Sequence, residues 1–314
     1  MLEYKVRCRG KIKGDNADLK LILSTYNFSF WFNGENGFIQ LDRNGNVIAM
    51  ISIGGVYRIY SCTKLSCKDH VDKLYWSLGL RENLNEFHET ALKDPLLREF
   101  ISKYPGWRLR STSLWWALVV GVCQQNASFR QGWKMLYNIV KNYGRKIVLE
   151  DHETYLTPTP QDIIEKPELL KKSGTGYRWK TILSIAHWFL EHNVDCKALQ
   201  RSKAEEIEEI LKSIKGVGEY TARLALVLAL RRYELPPVDR WLRKIISVVY
   251  GVSEKEAEDK WVSIWGRYSG LASVAVTVAL DAEPLNKALK RIGEGKISPI
   301  EDNKITPLTM WKYL

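Results

Sequence analysis

The residues best suited to chemistry lie in one stretch, where a glycine turn is followed by a carboxylate. Lys215-Gly216-Val217-Gly218 joins two helical patterns. Before it, Ile207, Ile210, Leu211 and Ile214 recur at helical spacing with Glu205, Glu206, Glu208 and Glu209 between them, an amphipathic helix with acid near its start. After it, a mostly apolar helical run is expected from Glu219 to about Arg232. Two helices joined in this way form a helix-hairpin-helix. Its glycines let the backbone approach a phosphate, and the first N–H groups of the second helix face that phosphate. Such a contact grips a polyanion without reading its sequence. Pro236-Pro237 then stiffens a loop, and Asp239 opens the next helix. Asp239 suits an ordinary N-cap. It also suits a carboxylate that stabilises a developing cation or orients a water molecule, and the two roles are compatible.

LKSIKGVGEYTA, with VDRWLRK beginning at Val238, resembles the helix-hairpin-helix (HhH-GPD) DNA glycosylases, which carry a Gly/Pro-rich loop and a catalytic aspartate. RLRSTSLWWALVVGVCQQNASFRQGWKM (108–135), SGTGYRWKTI (173–182) and SIWGRYSGLASVAV (263–276) look most like the 8-oxoguanine glycosylase branch. NADLKLILSTYNFSFWF (16–32) is similar to the start of that branch and of 3-methyladenine DNA glycosylase II. The resemblance covers most of the chain. It implies an enzyme of base-excision repair that binds double-stranded DNA as a monomer and flips a damaged base out of the stack. Asp239 would stabilise the oxocarbenium-like sugar as the glycosidic bond breaks. Lys215, Gly216, Val217 and Gly218 would grip the DNA backbone.

Departures from the family pattern carry the finer expectations. Bifunctional members attack the sugar with a hairpin lysine and form a Schiff base. The matching position here is Tyr220, and a phenol cannot form an imine, so a monofunctional enzyme without lyase activity is expected. Lys215 is read as a phosphate contact or a solvated side chain in preference to a substitute nucleophile. Tyr177 matches a wedge beside the lesion. Arg178 and Asn126 match residues that hold the orphaned opposite base, with Arg130 an approximate match to a second arginine. In the base pocket, Tyr26 replaces a glycine, Thr277 a stacking phenylalanine and Trp241 a histidine. With Phe28 and Tyr220 this gives an aromatic pocket suited to cationic alkylated purines. Alkylated purine of the 3-methyladenine kind is the first substrate expected. Oxidised guanine comes second, and thymine or uracil in a mismatch third. A non-catalytic lesion-binding protein is the competitor from another class. A metal-dependent nuclease finds no carboxylate or histidine cluster at ligand spacing.

The elements that must position these groups point to an α+β protein. Residues 1–68 read as an antiparallel β-sheet domain, with LKLIL and FSFWF among its strand candidates and Asn33–Gly37 and Asn44–Asn46 as turns. Residues 69–295 read as a helical body, and 296–314 as an irregular tail. Ser111 or Thr112 is placed near the N-cap of the apolar helix that follows, and His152–Pro160 reads as a polar loop. The net charge of +11 and pI of about 9.3 suit a polyanionic partner. Basic residues flank the motifs, Lys171, Lys172, Arg178 and Lys180 at one and Arg231, Arg232, Arg240, Arg243 and Lys244 at the other. No apolar run reaches membrane-span length and the start does not read as a signal peptide, so an intracellular setting is expected. The five cysteines are scattered and odd in number, which suggests reduced thiols. Cys62 and Cys67 form the only close pair, with no zinc-ligand set beside them. No four-cysteine cluster supports an iron–sulfur centre. No cofactor or metal is expected for the chemistry, although the resemblance allows a structural monovalent cation at the hairpin.

Overall fold

The computed structural model describes residues 3–13, 16–26, 32–64, 66–192, 194, 196–300 and 305–313. Strands β1 (Lys5–Lys11), β2 (Asn36–Gln40), β3 (Val47–Ser52) and β4 (Val56–Ser61) form an antiparallel sheet in the order β1-β4-β3-β2. Alternation along the central strand buries both faces. Ala49 and Ile51 of β3 join Ile39 and Ile59 in a small core of their own, whereas Ile48 and Met50 join the main core of the body. The small core is closed by two helices, α1 (Leu19–Ser24) and α2 (Cys67–Leu78), through Ile22, Leu23, Leu74 and Leu78. Thus LKLIL is helical, not a strand. Asp18 caps it by accepting from the Leu21 N–H at 2.9 Å, and its apolar residues face the sheet. FSFWF falls largely outside the described residues.

Helices α3 (Asn85–Ala91) and α4 (Arg98–Lys103) lead into α5 (Leu114–Gln124), which is buried from Leu114 to Cys123. Its N-cap is Ser113, one residue past the expected pair, and the Ser113 hydroxyl accepts from the Trp116 N–H. α6 (Phe129–Tyr143) opens with a capping box from Ser128 and Gln131. A hairpin of β5 (Lys146–Leu149) and β6 (His152–Tyr155) follows, so the first part of the His152–Pro160 segment expected to be a loop is a strand. α7 (Pro160–Glu165) and α8 (Glu168–Lys172) follow, and a 3-10 turn at Gly176–Arg178 enters α9 (Trp179–Glu191). α10 (Cys196–Leu199) precedes the hairpin pair, α11 (Ala204–Lys212) and α12 (Glu219–Ala225). The second hairpin helix does not run on as α-helix. Leu226–Leu230 is a π-helical turn that ends at Arg231 in left-handed backbone, φ 54°. α13 (Arg240–Tyr250), α14 (Ala257–Trp265), α15 (Ser269–Ala279) and α16 (Leu285–Gly293) complete the body.

Two close approaches fix the hairpin. A Cβ on Gly121 of α5 would meet the Thr221 methyl of α12 at 2.9 Å, so the helices touch backbone to side chain. A Cβ on Gly216 would meet Thr181 Oγ1 of α9 at 2.3 Å, and its φ of +89° is a conformation that glycine tolerates best. The turn is therefore seated on α9. Below it, Arg231 is buried among Glu82 (2.8 Å), the Tyr233 hydroxyl (3.1 Å) and the Trp76 and Ser77 carbonyls. Arg231 is a tie between the body and the end of α2, not one of the phosphate-facing cations. A buried guanidinium needs these acceptors, and having them it is no longer available to DNA.

The cysteines correct a further expectation. Cys8 in β1 and Cys67 at the start of α2 form a disulfide, across a sequence separation of 59 residues. Sequence proximity had singled out Cys62, but the sheet brings the two distant residues together. Cys62 and Cys123 are free thiols. Closing a loop of this length restricts the unfolded chain by about 4 kcal/mol in the chain-entropy account. Replacing both bridge residues with serine should lower unfolding stability by about 2–4 kcal/mol in denaturant titration. Reductant should bring the unmodified protein to the same midpoint; an unmodified protein indifferent to reductant would exclude the bridge. Gly216→Ala should cost about 1–3 kcal/mol, from strained φ and the Thr181 contact, and weaken duplex binding in a titration.

Candidate active site

Asp239 is the N-cap of α13. Its backbone is extended, with φ −87° and ψ −179°, and its Oδ1 accepts the Leu242 N–H at 2.8 Å. The residue is solvent-accessible and forms part of the wall of a cavity of about 260 Å³. Surrounding protein strips water from the carboxylate and raises its pKa above the ordinary value, while the backbone N–H groups of Leu242 and Trp241 and the charge of Arg243 pull it back. The helix start thus holds an ionisable carboxylate in a mostly apolar hollow.

The cavity brings together Tyr26, Tyr220, Asp239, Trp241 and Thr277, which are far apart in sequence. Tyr26 follows α1 at a φ of 43°, pinned by its N–H on the Pro307 carbonyl (2.9 Å) and by Arg110, which donates to its carbonyl (3.0 Å). Its phenol interacts with Thr277. Burial raises the pKa of the Tyr26 phenol, the Thr277 hydrogen bond opposes this, and the Asp239 charge adds to it. Tyr220, in the first turn of α12, is likewise raised by burial, then by Asp239 and Tyr26. Both phenols are therefore neutral hydrogen-bonding groups at physiological pH. Trp241 is held by its Nε1–H on the Glu283 carbonyl at 2.8 Å. Phe28 lies outside the described residues.

Several wall residues escaped the sequence reading. Phe129 meets Tyr26 edge-on, with ring centres 6.0 Å apart, and Trp133 lies one helical turn further along α6. Their spacing of four residues was a usable signal for a shared face. Glu283 and Met310 carried none. Met310 belongs to the segment expected to be an irregular tail, yet a 3-10 turn at Met310–Tyr313 packs against the body and closes the cavity.

The residues expected to face DNA differ in exposure. Lys215, Gly216 and Gly218 are exposed and Val217 is buried, anchoring the turn through its N–H on the Ile214 carbonyl at 3.0 Å. Tyr177 is 60% exposed. Asn126 is exposed at a φ of 47°, and its neighbour Gln125 bonds Thr221 of α12 at 2.7 Å. Arg178 joins the two loops. It lies against the Tyr177 ring and donates to the carbonyls of Gln125 and Asn126, so its guanidinium braces the Asn126 loop from behind. Arg130 is exposed in the first turn of α6. Of the other flanking cations, Arg232, Arg243 and Lys244 pair with Glu234, Glu258 and Glu254. Arg240 is exposed, one residue past Asp239. Among the described residues no group of three or more His, Cys, Asp and Glu side chains is placed to hold a metal ion, and no helix is long and apolar enough to cross a membrane.

No family model matches the chain. It is 25% identical over 207 residues to the DNA-3-methyladenine glycosylase of Bacillus subtilis, a match covering 62% of this chain and 66% of that protein. It is similar in fold to the 3-methyladenine DNA glycosylase of Archaeoglobus fulgidus, with TM-score 0.67 and 20% identity over 86% of this chain and 97% of that one. It is equally similar to the 8-oxoguanine glycosylase/lyase of Clostridium acetobutylicum solved with double-stranded DNA, with TM-score 0.67 and 18% identity over 92% and 99% of the two chains. These neighbours are DNA glycosylases of the 3-methyladenine and 8-oxoguanine kinds, and the chain shares their fold.

Proposed function

We propose that this protein is a monofunctional DNA glycosylase of base-excision repair, and that alkylated purines are its first substrates. The observation that carries the reading is the cavity itself: the Asp239 carboxylate in a hollow walled by Tyr26, Phe129, Tyr220 and Trp241, where the other lining carboxylate, Glu283, is paired with Arg291. A base unstacked from the duplex enters this space, and Tyr177 fills the gap it leaves. As the glycosidic bond lengthens, positive charge grows on the sugar. The fixed carboxylate lowers the energy of that state and orients a water for attack. An N-alkylated purine already carries positive charge, so it leaves readily and stacks well on electron-rich rings. Tyr220 stands where an amine nucleophile would be needed for lyase chemistry. Its neutral phenol can hydrogen-bond the base but form no imine. The likeness to the Bacillus subtilis 3-methyladenine enzyme supports the same substrate class.

Asp239→Asn tests the reading. Asparagine caps helices as well as aspartate does, so the fold and lesion-duplex binding should persist. Single-turnover base release should fall at least about a hundredfold, assayed on duplexes bearing 3-methyladenine analogues, hypoxanthine, 8-oxoguanine or uracil. Undiminished release would remove Asp239 from the chemistry, and release of 8-oxoguanine alone would move the substrate to oxidised guanine. The pH dependence has a fixed sign. The ionised carboxylate is the active form, so the rate should fall as pH drops through a midpoint above the ordinary aspartate value of about 4. For stability, the raised folded-state pKa means that the Asp239 contribution is greatest below its unfolded pKa and is lost as pH rises through the folded one. Above that window Asp239→Asn should melt no lower than the parent protein.

A further inference from the structure

The first strand carries a charge pattern that base removal does not use. From Lys5 to Lys13 the chain reads KVRCRGKIK, five cations without an acid, in a protein of net charge +11. β1 is an edge of the sheet, and all five side chains are exposed. Lys5 lies 3.4 Å from Glu3, but Arg7, Arg9, Lys11 and Lys13 have no acidic partner among the described residues. Some surface cations elsewhere are paired, as with Lys146 and Glu153 or Lys244 and Glu254, and others, such as Lys215 and Arg240, are exposed at the candidate site. The strand is also held in place. The Cys8–Cys67 bridge fastens it between Arg7 and Arg9, and the Lys13 N–H donates to the Tyr75 hydroxyl of α2 at 2.9 Å. A register shift between Val6 and Cys8 turns Cys8 inward opposite Ile59, and Arg9 and Lys11 to the other side.

Edge strands often carry charge to prevent pairing with other chains. One or two lysines do that, and mixed signs do it as well. Four like charges at steps of about 7 Å repel one another along roughly 20 Å of strand. A linear polyanion with a charge every ~1.7 Å of axis reverses that cost. We propose that the β1 edge is a second, sequence-independent contact for the phosphate backbone of duplex DNA, outside the lesion site. This rests on the DNA-processing reading above. Tyr26 in the cavity lies thirteen positions after Lys13, and the six residues of α1 rise only about 9 Å. The two ends are thus within about 35 Å, or roughly ten base pairs. A duplex extending that far from the lesion is long enough to span the distance to the strand.

The test is a salt titration of binding to undamaged duplexes of about 12 and about 30 base pairs, comparing the parent protein with the R7Q/R9Q/K11Q/K13Q variant. Each lost phosphate contact removes about 0.9 from the slope of log affinity against log salt. On the longer duplex the variant's slope should be shallower by about 3.6. Equal slopes on both lengths would overturn the proposal. So would self-association of the variant in sedimentation with its slope unchanged, which would mark edge protection, or parent protein binding anionic phosphatidylglycerol vesicles in preference to duplex. If the fourfold variant fails to fold, K11Q/K13Q, beyond the disulfide-fastened residues, should show about half the change. Because the duplexes are undamaged, a failure here is separate from any failure to release a base.

Discussion

A carboxylate that must stay ionised in a place that disfavours ionisation is the constraint around which this structure is arranged. The surrounding protein strips water from Asp239 and raises its pKa, and in the proposed mechanism the same loss of water strengthens its effect on a developing cation. The conflict is managed at the start of α13. The free N–H groups of a helix's first turn stabilise a negative charge without neutralising it by a salt bridge.

The surrounding packing keeps that arrangement rigid. α5 lies against α12 across Gly121, which fixes Tyr220, and Gly216 seats the hairpin turn on α9. The Glu283 carbonyl orients Trp241, and the segment carrying it is pinned by Arg291, which binds Asp281 at 2.8 Å and Glu283 at 3.2 Å. The sheet domain contributes Tyr26 through α1, and the end of the chain contributes Met310. The cavity and the hairpin are thus parts of one packed unit, on which Tyr177, Asn126 and Lys215 are exposed.

Local patterns made much of this legible. The hairpin, the Asp239 N-cap and the buried α5 follow from glycine placement, capping chemistry and apolar periodicity. Tyr26, Tyr220, Trp241 and Thr277 were grouped by resemblance, and they do share one cavity. What escaped were features set by contacts distant in sequence. LKLIL is apolar enough for either element, and its docking on the sheet makes it a helix. The Cys8–Cys67 bridge depends on strand pairing that cysteine spacing cannot reveal. Arg231 looked like its basic neighbours until burial beside Glu82 separated it from them. Met310 entered the cavity from a segment with no periodicity to mark it.

The central claim is that the chain breaks the glycosidic bond with water and a carboxylate, not with an amine. Single-turnover reaction with a 3-methyladenine-analogue duplex in the presence of borohydride, resolved with and without alkali, tests it most directly. The account predicts free base, strand breaks only after alkali, and no protein–DNA adduct. A borohydride-trapped adduct would contradict it, showing that an amine attacks the sugar and directing attention from Tyr220 to Lys215.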